Sequence, residues 1–193
     1  YTIFVAEVPS TLNEALFLDF MLERAGTAGQ KPVLLQHAID SITSTFYTQV
    51  MFADFELQAH RLVEQDQPIT AEVLSTIYGR LLREYYGDVL DEEPLSSMTW
   101  ARIPHFFSTP YYVYQYATCF ASTARLMQDL RSSDRATKSD GVERYLTLLR
   151  AGGSGYPMDL LKTAGVDLSQ PDTVRAVATE LNTLVSQLEA ELA

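Results

Sequence analysis

At 193 residues with 47% hydrophobic content, the chain can bury one sizeable core, and residues 1–193 read as a single helical unit. Its formal net charge of −11 argues against a nucleic-acid partner or an anionic membrane surface, and no apolar run is long enough to span a bilayer. Cys119 is the only cysteine, so no disulfide can close within the chain, which fits a reducing cytoplasm.

The first predicted helix runs from about Ala6 to Ala25, with Pro9 in its opening turn, where a missing N–H is tolerated. Gly26-Thr27-Ala28-Gly29 ends it. A second, long helix follows Pro32 and continues to about Gln65. Its apolar residues Leu35, Ile39, Ile42, Phe46, Val50 and Ala53 recur at steps of three and four. Pro68 breaks this pattern, and Thr70 is a good N-cap for a third helix over Ala71–Tyr86. Asp91-Glu92-Glu93-Pro94 opens an irregular region that extends through Pro110. An aromatic helix follows over about Tyr111–Asp129, then one from about Gly141 to Arg150, then the turn Gly152-Gly153-Ser154-Gly155. Helices near Pro157–Ala164 and Pro171–Leu192 close the chain. Strand-like alternation is weak throughout, so the expected fold class is all-α.

Two places carry candidate chemistry. Glu7 and Glu14 stand two turns apart on the first helix and therefore point in nearly the same direction. Leu12, Ala15, Leu16, Leu18 and Met21 fill much of the remaining helix surface, so each carboxylate needs a cation or a donor. A metal ion is one solution and an ordinary hydrogen bond another. Thr11-x-x-Glu14 also matches a capping box. The second place is His105 with the four phenols Tyr111, Tyr112, Tyr114 and Tyr116. Neutral phenols can donate to a developing oxyanion, and a histidine can do the same. Tyr112 and Tyr116 would share a helix face at i, i+4. Tyrosine rings are also common core filler, and that reading stands beside the chemical one. Glu56, His60 and Glu64 lie at i, i+4 spacing and read as a solvated or hydrogen-bonded helix face rather than a metal site. His37 has no sequence partner and reads as structural.

AEVPSTLNE and HFFSTPYYVYQYAT resemble segments of the oligoendopeptidase F and thimet-oligopeptidase family of zinc peptidases. The stretch from Gln49 to His60, Arg83 to Asp88, and Arg150 to Asp167 also resemble family segments, so the likeness runs from Glu7 to about Asp172. The resemblance implies the multi-helical C-terminal part of a zincin-type catalytic domain. It implies that Glu7 is a zinc ligand and that Glu14 is an acid holding the ligands in place. It further implies that His105, Tyr112 and Tyr116 stabilise the oxyanion, with Tyr111 and Tyr114 contacting substrate or packing. Gly152 and Gly153 read either as elements of a peptide channel or as a plain turn between helices.

The family's His-Glu-x-x-His motif, which supplies two zinc ligands and the general base, is absent; the three histidines are His37, His60 and His105, and no two stand at i, i+4. The expected parent is therefore a longer zinc metalloendopeptidase cutting short peptides, with Tyr1 not a natural start and the zinc-binding helix upstream. The isolated piece is expected to be inactive and to hold zinc weakly. A non-catalytic helical scaffold or interaction module derived from a peptidase is the alternative.

Overall fold

The computed structural model describes residues 2–27, 29–90 and 95–193, and every regular element among them is helical. The expected turn residues 91–94 and Ala28 lie outside the described residues. The chain divides into two compact units, one comprising residues 1–46 and 118–193 and the other residues 47–117.

The larger unit contains α1 (Ile3–Arg24), α2 (Gln30–Ile42), most of α6 (Tyr114–Leu130), α7 (Arg135–Ala151), α8 (Pro157–Thr163) and α9 (Pro171–Leu192). Its core joins Val5, Val8 and Leu12 of α1 to Cys119, Leu126, Met127 and Leu130 of α6 and to Leu148, Leu160, Leu161 and Val166. Val8, Leu12, Cys119 and Val166 are fully buried. Cys119 lies under this apolar cover, with its Sγ donating to the Phe4 carbonyl at 3.1 Å. Burial pushes its thiol up to about 11. Across the same unit, Arg131 donates to both oxygens of Asp19 at 2.8 Å and to Glu180 at 2.7 Å, tying α1 and α9 to the end of α6.

Pro9 is the seventh residue of α1, not part of an opening turn, because the helix begins at Ile3. The proline leaves one carbonyl of the preceding turn without its ladder donor. Immediately after it, the Ser10 and Thr11 hydroxyls both donate to the Glu7 carbonyl, at 3.0 and 2.7 Å. The expected long helix is interrupted as well: α2 passes into a π-helical turn at Thr43–Tyr47 before α3 (Thr48–Glu64). Thr43 and Ser44 back-bond the Asp40 carbonyl at 3.0 and 2.8 Å, and such side-chain donors compete with the backbone ladder. Further on, α7 starts six residues before the expected Gly141, because Asp134 caps it by accepting from the Thr137 amide at 2.9 Å. Gly141 is an interior contact instead: a Cβ there would lie 3.1 Å from Cβ of Asp129.

The smaller unit contains α3, α4 (Ala71–Tyr86), two 3₁₀ segments (Gly87–Val89 and Ser96–Arg102), the one-turn α5 (His105–Ser108) and the start of α6. Thr70 caps α4 as expected, accepting from the Val73 amide. The core here is aromatic. Phe55 meets Phe106 at 5.0 Å and Tyr78 at 5.5 Å edge-on, Phe52 meets Phe106 at 5.5 Å, and Trp100 stacks on Phe55 at 6.3 Å. Trp100 Nε1 reaches the Ser75 hydroxyl at 3.1 Å, which satisfies its donor and pins the 3₁₀ segment on α4. The described part of the region expected to be irregular, residues 95–110, is thus largely helical, held by its aromatic side chains.

Candidate functional site

In the smaller unit, His105, Tyr112 and Tyr116 come together. The His105 imidazole stacks on the Tyr112 ring at 5.5 Å and 25°, and Tyr116 stands edge-on to both, at 6.1 Å from His105 and 5.3 Å from Tyr112. All three are half-buried. Local anchors explain the placement. Phe106, next to His105, is gripped by Phe52 and Phe55, which fixes the short helix α5. Val113, next to Tyr112, is buried in the same core.

The route by which Tyr112 and Tyr116 meet differs from the expected shared helix face. α6 begins at Tyr114, and Tyr111 has a left-handed backbone with φ +59°. For a bulky residue this conformation costs roughly 1–2 kcal/mol. Surrounding groups hold it there. The Tyr111 amide donates to Oε1 of Glu56 at 2.7 Å, its carbonyl accepts from Nε2 of Gln115 at 3.4 Å, and its ring lies 4.5 Å from that of His60. Glu56 is 5% exposed and Gln115 9%. Tyr111 and Tyr114 themselves remain exposed beside the cluster.

Spacing alone puts Glu56 on a solvated or hydrogen-bonded helix face; the fold adds its bond to the turn at Tyr111. The available signal was its position in the apolar stripe Phe52, Phe55, Glu56, where a carboxylate must meet a buried donor. His60 faces Tyr111, and no group of three or more metal-capable side chains occurs among the described residues.

In the larger unit, Glu7 is half-buried on α1, and its Oε2 accepts from the Ser10 hydroxyl at 2.9 Å. The carboxylate keeps acceptor capacity beyond that one bond, as a metal ligand requires. Glu14 is exposed and lines a cleft of about 260 Å³ with Thr11, Leu18, Met21, His37 and Thr123. The capping-box reading of Thr11 and Glu14 fails, because Thr11 sits well inside α1 and spends its hydroxyl on the Glu7 carbonyl and Thr123. Gly152 caps α7 with φ +52°, a conformation that suits glycine, and Gly153 follows it in the exposed turn.

Residues 1–178 match the model of peptidase family M3. Oligopeptidase PepF of Bacillus subtilis is 37% identical over 191 residues, which is 98% of this chain and 28% of that protein. The oligoendopeptidase F homolog of Borreliella burgdorferi is 37% identical over 174 residues, covering 90% of this chain and 29% of that protein. The crystal structure of oligoendopeptidase-F from Enterococcus faecium superposes with a TM-score of 0.89 at 34% identity, covering 100% of this chain and 36% of that chain. The chain thus spans under a third of the length of these curated relatives. With the family model matched along most of its length and the fold shared with oligoendopeptidase-F, this chain belongs to peptidase family M3.

Proposed function

We propose that this chain is the C-terminal portion of the catalytic domain of a longer zinc metalloendopeptidase that hydrolyses short peptides. The convergence of His105, Tyr112 and Tyr116 into one half-buried cluster, in a chain of this family, is the observation that supports the reading most strongly. Glu7 would be one zinc ligand, with the remaining protein ligands supplied by the N-terminal part of the same protein. Zinc held there would polarise the scissile carbonyl and lower the pKa of a bound water.

The residues of this chain have distinct tasks in that scheme. Glu14, on the same face of α1 two turns on, hydrogen-bonds and steadies the ligand set. The Tyr112 and Tyr116 hydroxyls and the His105 imidazole donate to the oxygen that gains charge as the carbonyl becomes tetrahedral. Neutral donors held in place before reaction stabilise that charge without reorganising. Tyr111, Tyr114, Gly152 and Gly153 contact the peptide.

Isolated from the upstream ligands and general base, the piece is inactive. The exposed apolar face of α1 is consistent with a covering segment elsewhere in the protein: Phe17 and Phe20 stack at 6.2 Å while 62% and 47% exposed. No helix among the described residues is long and apolar enough to cross a membrane. A cytoplasmic location is part of the proposal.

The test uses the full-length protein and a quenched peptide substrate. Hydrolysis abolished by a zinc chelator and restored by zinc supports the reading. Hydrolysis indifferent to the chelator, or none under any metal condition, removes it.

A further inference from the structure

Glu56 lies on the buried face of α3, between the aromatic core and the turn that precedes α6. Among the described residues its carboxylate meets no basic side chain within ion-pairing distance; its contact is the backbone amide of Tyr111, 2.7 Å away. A carboxylate is costly to bury, and a charge-assisted bond to a backbone N–H offsets part of that cost. A capping role for a helix would place this acid at a helix start. Here it reaches across 55 residues of sequence to a tyrosine held in the left-handed region.

The grip on that residue is unusually complete. Glu56 takes the Tyr111 N–H, Gln115 donates to the Tyr111 carbonyl, and His60, one turn beyond Glu56 on α3, lies against the Tyr111 ring. On the other side of Tyr112, Val113 is 1% exposed in the core. Tyr112 therefore stands between two immobilised neighbours, and its ring direction follows from the backbone of Tyr111. Without the Glu56 bond, Tyr111 loses the interaction that offsets its left-handed strain, and it can relax toward ordinary φ values. Such a relaxation redirects Tyr112 relative to His105.

We propose that Glu56 is a positioning residue: its buried carboxylate latches the left-handed Tyr111 and so sets the Tyr112 phenol against His105 for transition-state donation. This inference rests on the peptidase reading above for its chemistry, and on the smaller unit's own geometry for the latch. A group that acts only in the transition state affects kcat and leaves KM nearly unchanged. Glutamine in place of Glu56 keeps an acceptor oxygen at the same position, whereas leucine keeps the bulk and removes it.

The experiment compares Glu56→Gln and Glu56→Leu in the full-length protein, with two readouts. Hydrogen exchange at the Tyr111 amide reports the latch: Glu56→Leu should speed it at least tenfold, and Glu56→Gln should leave it protected. Peptide hydrolysis reports the consequence: Glu56→Leu should lower kcat at least tenfold with KM little changed, and Glu56→Gln should restore most of kcat. Unchanged Tyr111 exchange in Glu56→Leu overturns the latch. Faster exchange with wild-type kcat overturns the positioning role. If Glu56→Leu fails to fold, Glu56→Gln and Glu56→Ala decide by the same two readouts, and equal kcat in both overturns the proposal. A wild-type protein without peptide hydrolysis overturns the underlying peptidase reading and the positioning role with it, while the exchange measurement still decides whether Glu56 latches Tyr111.

Discussion

The His105 imidazole lies face to face with the Tyr112 phenol, their centroids 5.5 Å apart and their planes 25° from parallel. Tyr116 closes the group by presenting its ring edge-on to both. Two aromatic neighbours and a buried valine hold the arrangement: Phe52 and Phe55 seat α5 through Phe106, and Val113 seats the turn. The rings are thus held in place by the fold itself, and under the proposed function that is the condition in which hydrogen-bond donors stabilise a transition state most.

Tyr112→Phe and Tyr116→Phe remove one hydroxyl each while keeping the ring packing. In the full-length protein each should lower kcat by about 100-fold, the usual scale for one oxyanion donor, with little change in KM. Steady-state kinetics on a quenched peptide checks this. Wild-type kcat in both variants would return the cluster to the role of core packing.

Arg131 carries a charged connection across the larger unit, with bonds to Asp19 and Glu180. All three side chains are partly screened by solvent, at 24–33% relative exposure. Arg131→Ala leaves two carboxylates facing each other without their cation and should destabilise by roughly 1–3 kcal/mol. Urea unfolding measures it, and the loss should shrink in the double variant Arg131→Ala with Asp19→Asn. A full loss unchanged in that double variant would place the effect in packing of the arginine stem.

Tyr78 is 2% exposed in the aromatic core, and burial, with a smaller contribution from Tyr86, pushes its phenol up to about 12. The sign follows from linkage: the unfolded chain loses this proton near the ordinary value of 10.0, whereas the folded chain keeps it. The stabilising contribution is therefore complete below pH 10 and is lost as pH rises through about 12. The urea midpoint of wild type should fall across that window, and Tyr78→Phe should flatten the fall. An equally steep decline in Tyr78→Phe would assign the alkaline loss to other groups.

Local signals made some elements readable in advance. Pro68 and the Thr70 cap define α4 over Ala71–Tyr86, and Pro171 starts α9 at its observed first residue. Elsewhere, tertiary contacts or side-chain hydrogen bonds override the local pattern. Gly141 suggested a helix start but is a close contact with Asp129, and the true cap, Asp134, stands seven residues earlier. Thr43 and Ser44 gave no periodic sign of the π-helical turn. Tyr111 reads as helical from its neighbours; only its bond to Glu56, 55 residues away, shows why α6 begins later. His105, Tyr112 and Tyr116 were legible as candidates because their spacing and the family likeness agreed. Their mutual contact needed the fold.

Glu7 supplies the most direct test. Among the described residues its half-buried carboxylate on α1 has one hydrogen bond, from Ser10, and capacity for more. Zinc content by metal analysis, measured on the full-length protein beside peptide hydrolysis, compares wild type with Glu7→Gln. Wild type should carry about one zinc per chain, and the variant should lose both zinc and hydrolysis. A Glu7→Gln protein that keeps its zinc and its kcat would remove Glu7 from the metal site and the peptidase reading with it.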